Sequence, residues 1–246
     1  MIIRHVLTMM SALVLLLVLL LLSPAVADIR LVTKSWPGYT NEDGSGGYFA
    51  LVQLVLSPKP GELTIEFSNF NRALVMVEKQ QADVVLAVTK DDGATLLLSA
   101  APLDFDTITA VYAPATLAGP LQLDDLSTLR LAWDLAYNYG EALGLAVKGY
   151  EVHSVAQGLE LVAKGRIDVY LAEQADLLQH LYQAAPEGLA LQQQVMAQVP
   201  VYVGFSRSER GRLLKQRWDE AVVELQKNGT LQQLYLQYPG MHLEQP

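Results

Sequence analysis

Val84-Val85-Leu86-Ala87-Val88 is an unbroken apolar run, opened by Asp83 and followed by Thr89-Lys90. A run this short, with no polar alternation, reads as a strand covered on both faces, as the inner strands of parallel sheets are. Parallel neighbours need long crossovers, normally helical, and the flanking sequence provides them. Ile29 to Thr33 reads as a strand, Tyr48 to Leu56 as a short buried helix, Leu63 to Phe67 as an alternating strand and Arg72 to Lys79 as a helix. The scheme repeats downstream. Leu129 to Trp133, Glu151 to Val155 and Asp168 to Ala172 are strands, interleaved with helices over Tyr139 to Val147, Ala156 to Lys164 and Ala175 to Tyr182. Ser154-x-x-Gln157 is a capping box for the second of these. Such alternation implies βαβ units with right-handed crossovers, an α/β fold.

The repetition has a counterpart in the residues. Val77 to Ala87 can be laid over Val162 to Ala172 without a gap, each a helix end, a reversal and a strand that begins at an Asp. Gly165 suits the left-handed residue that ends a helix, whereas Gln80 at the matching place is mildly strained. Two similar lobes follow. Val111-Tyr112-Ala113-Pro114 and Val199-Pro200-Val201-Tyr202 read as extended crossings between them, since proline disfavours helix in the residue before it. Two helices close the chain. The first is opened by Ser206-x-x-Glu209 with an apolar face from Leu213 to Leu225, and the second runs from Thr230 to near Tyr238 after the Asn228-Gly229 stop.

Residues 1–27 stand apart. Arg4 and His5 precede a nearly continuous apolar run to Leu22, and Ala25-Val26-Ala27 completes the pattern of a secretory signal peptide. The alternative is an uncleaved anchor, but the stretch is short for the ~20 residues of a spanning helix. The expected product begins at Asp28, is soluble and exported, and has no membrane insertion after cleavage.

Composition removes several function classes. The chain has 246 residues, 17 Lys+Arg against 26 Asp+Glu, a formal charge of −9 and no Cys. Without Cys there is no disulfide framework, thiol nucleophile or Cys-bearing zinc site. An acidic chain lacking basic clusters is a poor partner for nucleic acid. His5, His153, His180 and His242 share no metal-site spacing, and no metal or cofactor is expected. Asp83 and Asp168 read as strand-opening residues that satisfy backbone donors, not as catalytic groups. With no Cys to carry a lipid tether, an exported product stays near its membrane only behind an outer membrane, which points to a Gram-negative periplasm.

The order of these elements resembles the bacterial extracellular solute-binding proteins of family 3, the amino-acid-type periplasmic binding proteins of ABC transporters. The resemblance spans the chain beyond residue 27. It rests on Trp36-Pro37-x-Tyr39, Asn71-Arg72-Ala73-Leu74 leading to Ala82-Asp83-Val84-Val85-Leu86, and Tyr137-Asn138-Tyr139-Gly140-Glu141. Gly165-Arg166-Ile167-Asp168 and the closing pattern from Leu213 to Tyr238 complete it. It implies a type II clamp, each lobe a mostly parallel sheet flanked by helices. Lobe one would be 28–113 with 201–246, and lobe two 114–200. A small polar solute would bind between the lobes, and closure would present a monomer to an ABC permease. Two other roles are open. One is a stand-alone sensory or accessory protein; the other is a periplasmic dehydratase acting on cyclic carboxylates, with Glu173 as acid–base group.

Candidate ligand contacts follow from strand ends, where open α/β sheets bind. Thr89 and Lys90 follow one such strand and Glu173 ends its echo, where amino-acid binders of this family place an Asp for the ligand ammonium. The other reading of Glu173 is a helix-start carboxylate favouring the dipole. Trp36 and Tyr39 offer aromatic walls, or else pack on their own lobe. Tyr137, Asn138 and Tyr139 surround a helix start that exposes backbone N–H groups to an anion. The family's carboxylate-clamping Arg falls at Gly93 here, so no guanidinium fork is available. Arg72 or Lys90 would have to supply the charge, and Lys matches a carboxylate less well. The residues therefore favour ligands bearing an amine or amidine over simple anionic acids, and leave standard α-amino-acid binding open.

Overall fold

The computed structural model describes residues 28–56, 59, 61–91, 93–114, 120–135, 137–184, 191–238 and 240–243, with side chains of 182–184 left aside. The expected signal peptide lies outside the described residues. Among the described residues, nine strands, numbered in chain order, are arranged as β2-β1-β3-β9-β5-β8-β6-β7, with β4 beside β9. In one half, β1 (Ile29–Thr33) lies parallel to β2 (Leu63–Phe67) and β3 (Val84–Val88). In the other, β6 (Leu131–Asp134) lies parallel to β7 (Gly149–Val152) and β8 (Val169–Glu173). The halves have the same topology. Between them run two longer strands, β5 (Asp104–Tyr112) and β9 (Gln192–Phe205), antiparallel to each other and to β8 and β3 respectively. The short β4 (Leu97–Leu98) pairs with the end of β9.

β3 is buried at every residue, as its composition requires. The apolar side chains fall into separate cores. One joins Ile29 to Leu103 with Val201 to Met241, and the other two draw on Ile108 to Val199. Helix α1 (Gly47–Leu56) packs on the first core with α6 (Glu209–Lys227) and α7 (Thr230–Gln237). Helix α2 (Phe70–Glu78) begins at Asn69, whose side chain accepts the Arg72 N–H at 2.9 Å. Helices α4 (Val155–Ala163) and α5 (Gln174–Ala184) cover the second half.

The internal echo is structural. Gln80 and Gly165 both adopt positive φ, 58° and 61°, after helices that end at matched positions. Asp83 accepts the Arg30 N–H at 2.9 Å and Asp168 the Arg130 N–H at 2.8 Å, so each carboxylate anchors its strand to the next.

Three local expectations are corrected. Helix α3 spans only Tyr139–Ala142, not Tyr139 to Val147. Gly144 takes φ 70°, and the Leu145 and Gly144 N–H groups close back on Gly140 and Glu141, a turn that ends the helix. The cap of α6 is Ser208, which accepts the Gly211 N–H at 2.9 Å, while Ser206 bonds to the Ser208 hydroxyl. Strand β7 ends at Val152, not Val155, because Ser154 caps α4 and Val155 opens that helix.

Candidate ligand cleft

The loop after β1 is held from inside. The buried Thr40 hydroxyl accepts the Trp36 N–H at 3.0 Å and donates to the Lys34 carbonyl at 2.8 Å. That turn sets Trp36 and Tyr39 on one wall of a cavity of about 300 Å³ between the two halves. Trp36 also packs in the first core, edge-on to Phe70 with centroids 6.0 Å apart. Trp36 thus lines the cavity and packs on its own half at once. Tyr39 is half-buried, tilted against Tyr48 at 4.9 Å, and its hydroxyl donates to the Gly240 carbonyl at 2.9 Å.

The opposite wall comes from the second half. Tyr137 stacks on Phe70 with centroids 5.6 Å apart, and Glu173 ends β8 beside Gln174 and Ala175. The floor is β5, from Asp104 to Thr107, with Ala87 of β3. Ala87 has φ 58° where the β3–β9 register shifts between Val85 and Val88. Such a bulge re-aims a strand residue, and here Ala87 contributes to the cavity wall.

Charge in this cavity has one sign. Asp104, Asp106 and Glu173 line it, and among the described lining residues there is no Lys or Arg. Burial pushes the Glu173 carboxyl up to about 7, against the pull of the Ala175 and Asp176 N–H groups. Asp104 is also raised by burial, although it accepts the Tyr48 hydroxyl at 2.9 Å and the Phe105 and His242 N–H groups at 2.7 and 2.8 Å. His242 is an exposed part of the wall, its Nδ1 3.6 Å from Asp104 Oδ1. Burial, and then the surrounding carboxylates, hold the Tyr39 phenol well above its ordinary range.

Of the residues singled out in the sequence, Trp36, Tyr39, Tyr137 and Glu173 line the cavity together. Thr89, Asn138 and Tyr139 line an adjoining crevice with Asp106 and Tyr137. Arg72 is exposed on α2, and Lys90 is exposed with its ammonium 5.6 Å from the Tyr202 ring centroid. Neither lines the cavity or the crevice. The helix start at Tyr139 has a single turn, and Asn138 turns its amide to Glu141 at 2.6 Å. Asp104, Asp106 and Lys34 were not read from the sequence. The alternating Asp-Phe-Asp that opens β5 is the one local signal for the first two.

No family model matches the sequence, and no curated protein matches it either. Solved structures resemble it in fold. The substrate-binding protein of an amino acid ABC transporter aligns at TM-score 0.63 and 16% identity, covering 86% of this chain and 99% of that one. The fold is that of the two-lobed periplasmic binding proteins. A histidine kinase sensor domain with similarity to periplasmic binding proteins aligns at TM-score 0.68 and 15% identity, covering 88% and 98%. An ABC uptake transporter substrate-binding protein from Streptococcus pneumoniae with bound histidine aligns at TM-score 0.62 and 16% identity, covering 89% and 95%. Among the described residues, no helix is long and apolar enough to cross a membrane.

Proposed function

We propose that the protein is a solute-binding clamp that captures a small organic cation between its lobes. The observation that carries this reading is the cavity itself, with aromatic rings and carboxylates from both halves and no Lys or Arg on its described wall. An ammonium or amidinium entering it gains charge-assisted hydrogen bonds from Glu173 and the faces of Tyr39 and Tyr137. Trp36 closes the side of the cavity, and Thr89, Asn138 and Tyr139 shape the crevice behind it. Arg72 and Lys90 take no part in this account.

The lobes move about β5 and β9. The sequence put the first crossing at residue 113, but β5 side chains join the second core from Ile108 onward. We therefore place that crossing between Asp104 and Ile108, opposite Ala197 to Val201 of β9. Export through residues 1–27, a periplasmic location, a monomeric state and delivery to an ABC permease complete the reading. The neighbours described above are binding and sensor proteins, which favours binding over catalysis at Glu173. A stand-alone sensory role is the second reading, favoured by the TM-score of 0.68 to a sensor domain.

The experiment is a thermal-shift screen of amines, amino acids and dicarboxylates. Amines should raise the melting temperature by mass action, equivalent to about 2.7 kcal/mol at a hundred times the dissociation constant. Stabilisation by dicarboxylates alone would overturn the reading.

A further inference from the structure

The geometry of the acids narrows the ligand, on the reading that the cleft is the binding site. Asp104, Asp106 and Ile108 alternate along β5 and share one face of it. Ile108 pairs with Glu173 of β8. Asp106 is therefore diagonal to Glu173 on the same face, ~7–8 Å away by the spacing of antiparallel strands. Both line the cavity beside Tyr39 and Tyr137. Asp104, one step further along the same face, accepts the Tyr48 hydroxyl and the His242 N–H, and Glu173 accepts the Asp176 N–H at 2.9 Å.

Among the described lining residues, no Lys or Arg offers a seat for a carboxylate. The Lys34 ammonium, off that wall, is bonded to Asp176 at 2.9 Å. Gly93, where the resemblance would place a clamping Arg, is buried, and a Cβ there would come within 2.5 Å of Leu98 Cδ2 and 2.9 Å of Val88 Cγ1. An anionic group in the cavity would meet Asp104, Asp106 and Glu173 with no lysine or arginine on its described wall. Juxtaposed like charges are a strong ground for rejection.

We infer that the ligand is an organic dication without a carboxylate, its two cationic nitrogens separated by a chain of about four or five methylenes to match the diagonal acids. One nitrogen sits at Glu173 and the other at Asp106, with the methylenes along the rings of Tyr39 and Tyr137.

Calorimetry with cadaverine, lysine and pentylamine tests this directly. Lysine adds a carboxylate to cadaverine, and pentylamine removes its second amine, while the chain length stays the same. Cadaverine should bind about ten-fold or more tighter than either. Asp106→Asn should bring cadaverine to the level of pentylamine. Lysine binding as tightly as cadaverine would overturn the exclusion of the carboxylate. Pentylamine equal to cadaverine, or an unchanged Asp106→Asn, would overturn the second cationic contact. In those cases Glu173→Gln still separates the claims: weakened binding of whichever amine is held leaves the cleft a cation site. If none of the three binds and other amines bind with the same affinity to Glu173→Gln, the reading of the cleft fails, and the dication with it.

Discussion

The Lys34 ammonium, just beyond β1, lies 2.9 Å from Asp176 Oδ2 on α5, in the other lobe. It also sits 5.9 and 5.7 Å from the ring centroids of Trp36 and Tyr137. A cation of the protein's own therefore occupies an aromatic and carboxylate cage at the edge of the cleft. With the Phe70–Tyr137 stack, it links the two halves across the cleft.

Lys34→Met should loosen that tie. Asp176 is mostly shielded, its side chain 14% exposed, so leaving it without its cation costs more than losing a surface pair. Small-angle scattering of the ligand-free protein should show a larger radius of gyration than the parent. The variant should lose about 1–2 kcal/mol in urea unfolding. An unchanged profile would mean that Lys34 does not hold the lobes.

Glu173→Gln should stabilise the ligand-free protein, in a pH-dependent way. The folded Glu173 titrates near 7 against an ordinary value of 4.5, so the fold favours its neutral form. Below 4.5 both states are protonated and the acid carries no cost. As pH rises through the window from 4.5 to 7 the unfolded state ionises more readily, and stability falls. Above that window the cost levels off at about 3 kcal/mol. Urea unfolding should therefore show the variant more stable than its parent at about pH 8 and nearly equal at about pH 4. A pH-independent difference would contradict the buried-acid account.

The echo gives a reciprocal pair of substitutions. Gln80 bears a side chain at φ 58°, while Gly165 meets the same demand at φ 61° with none. Gln80→Gly should stabilise or leave stability unchanged, by about 0–1 kcal/mol. Gly165→Gln should destabilise by about 1 kcal/mol. Denaturant midpoints measure both, and a loss in Gln80→Gly would show that its side chain contributes more than its backbone costs.

Gly93→Arg should not create an amino-acid binder. Its Cβ has no room beside Leu98 and Val88, so the substitution forces local movement and costs roughly 1–3 kcal/mol. Calorimetry should show no gain for glutamine or glutamate. A gain would mean that the loop can re-form a carboxylate clamp.

How much of this was legible depended on whether the cause was local. The apolar run of β3, the strand-opening Asp83 and Asp168 and the left-handed Gly165 are local demands, and the structure meets each of them. The aromatic loop was legible too, since Trp36 and Tyr39 sit in a turn that Thr40 fixes. The two long strands were harder. β9 starts with Gln192-Gln193-Gln194, a polar stretch that becomes strand because β5 pairs with it along its length. The acids of β5 were hidden for a related reason. Asp104 and Asp106 look like a polar lead-in until the pairing of Ile108 with Glu173 shows which face they share. Lys34 was beyond reach, because its partner is 142 residues away and only the fold brings the two together.

The central claim is that the cleft holds a cation on Glu173, and one calorimetric titration tests it most directly. The amine that stabilises the protein most is titrated into the parent and into Glu173→Gln at about pH 8, where the raised acid is ionised. The account predicts that the variant keeps its fold and binds more weakly by roughly 2–5 kcal/mol, because the cation is left without its buried partner. Equal affinity in the two proteins would contradict it.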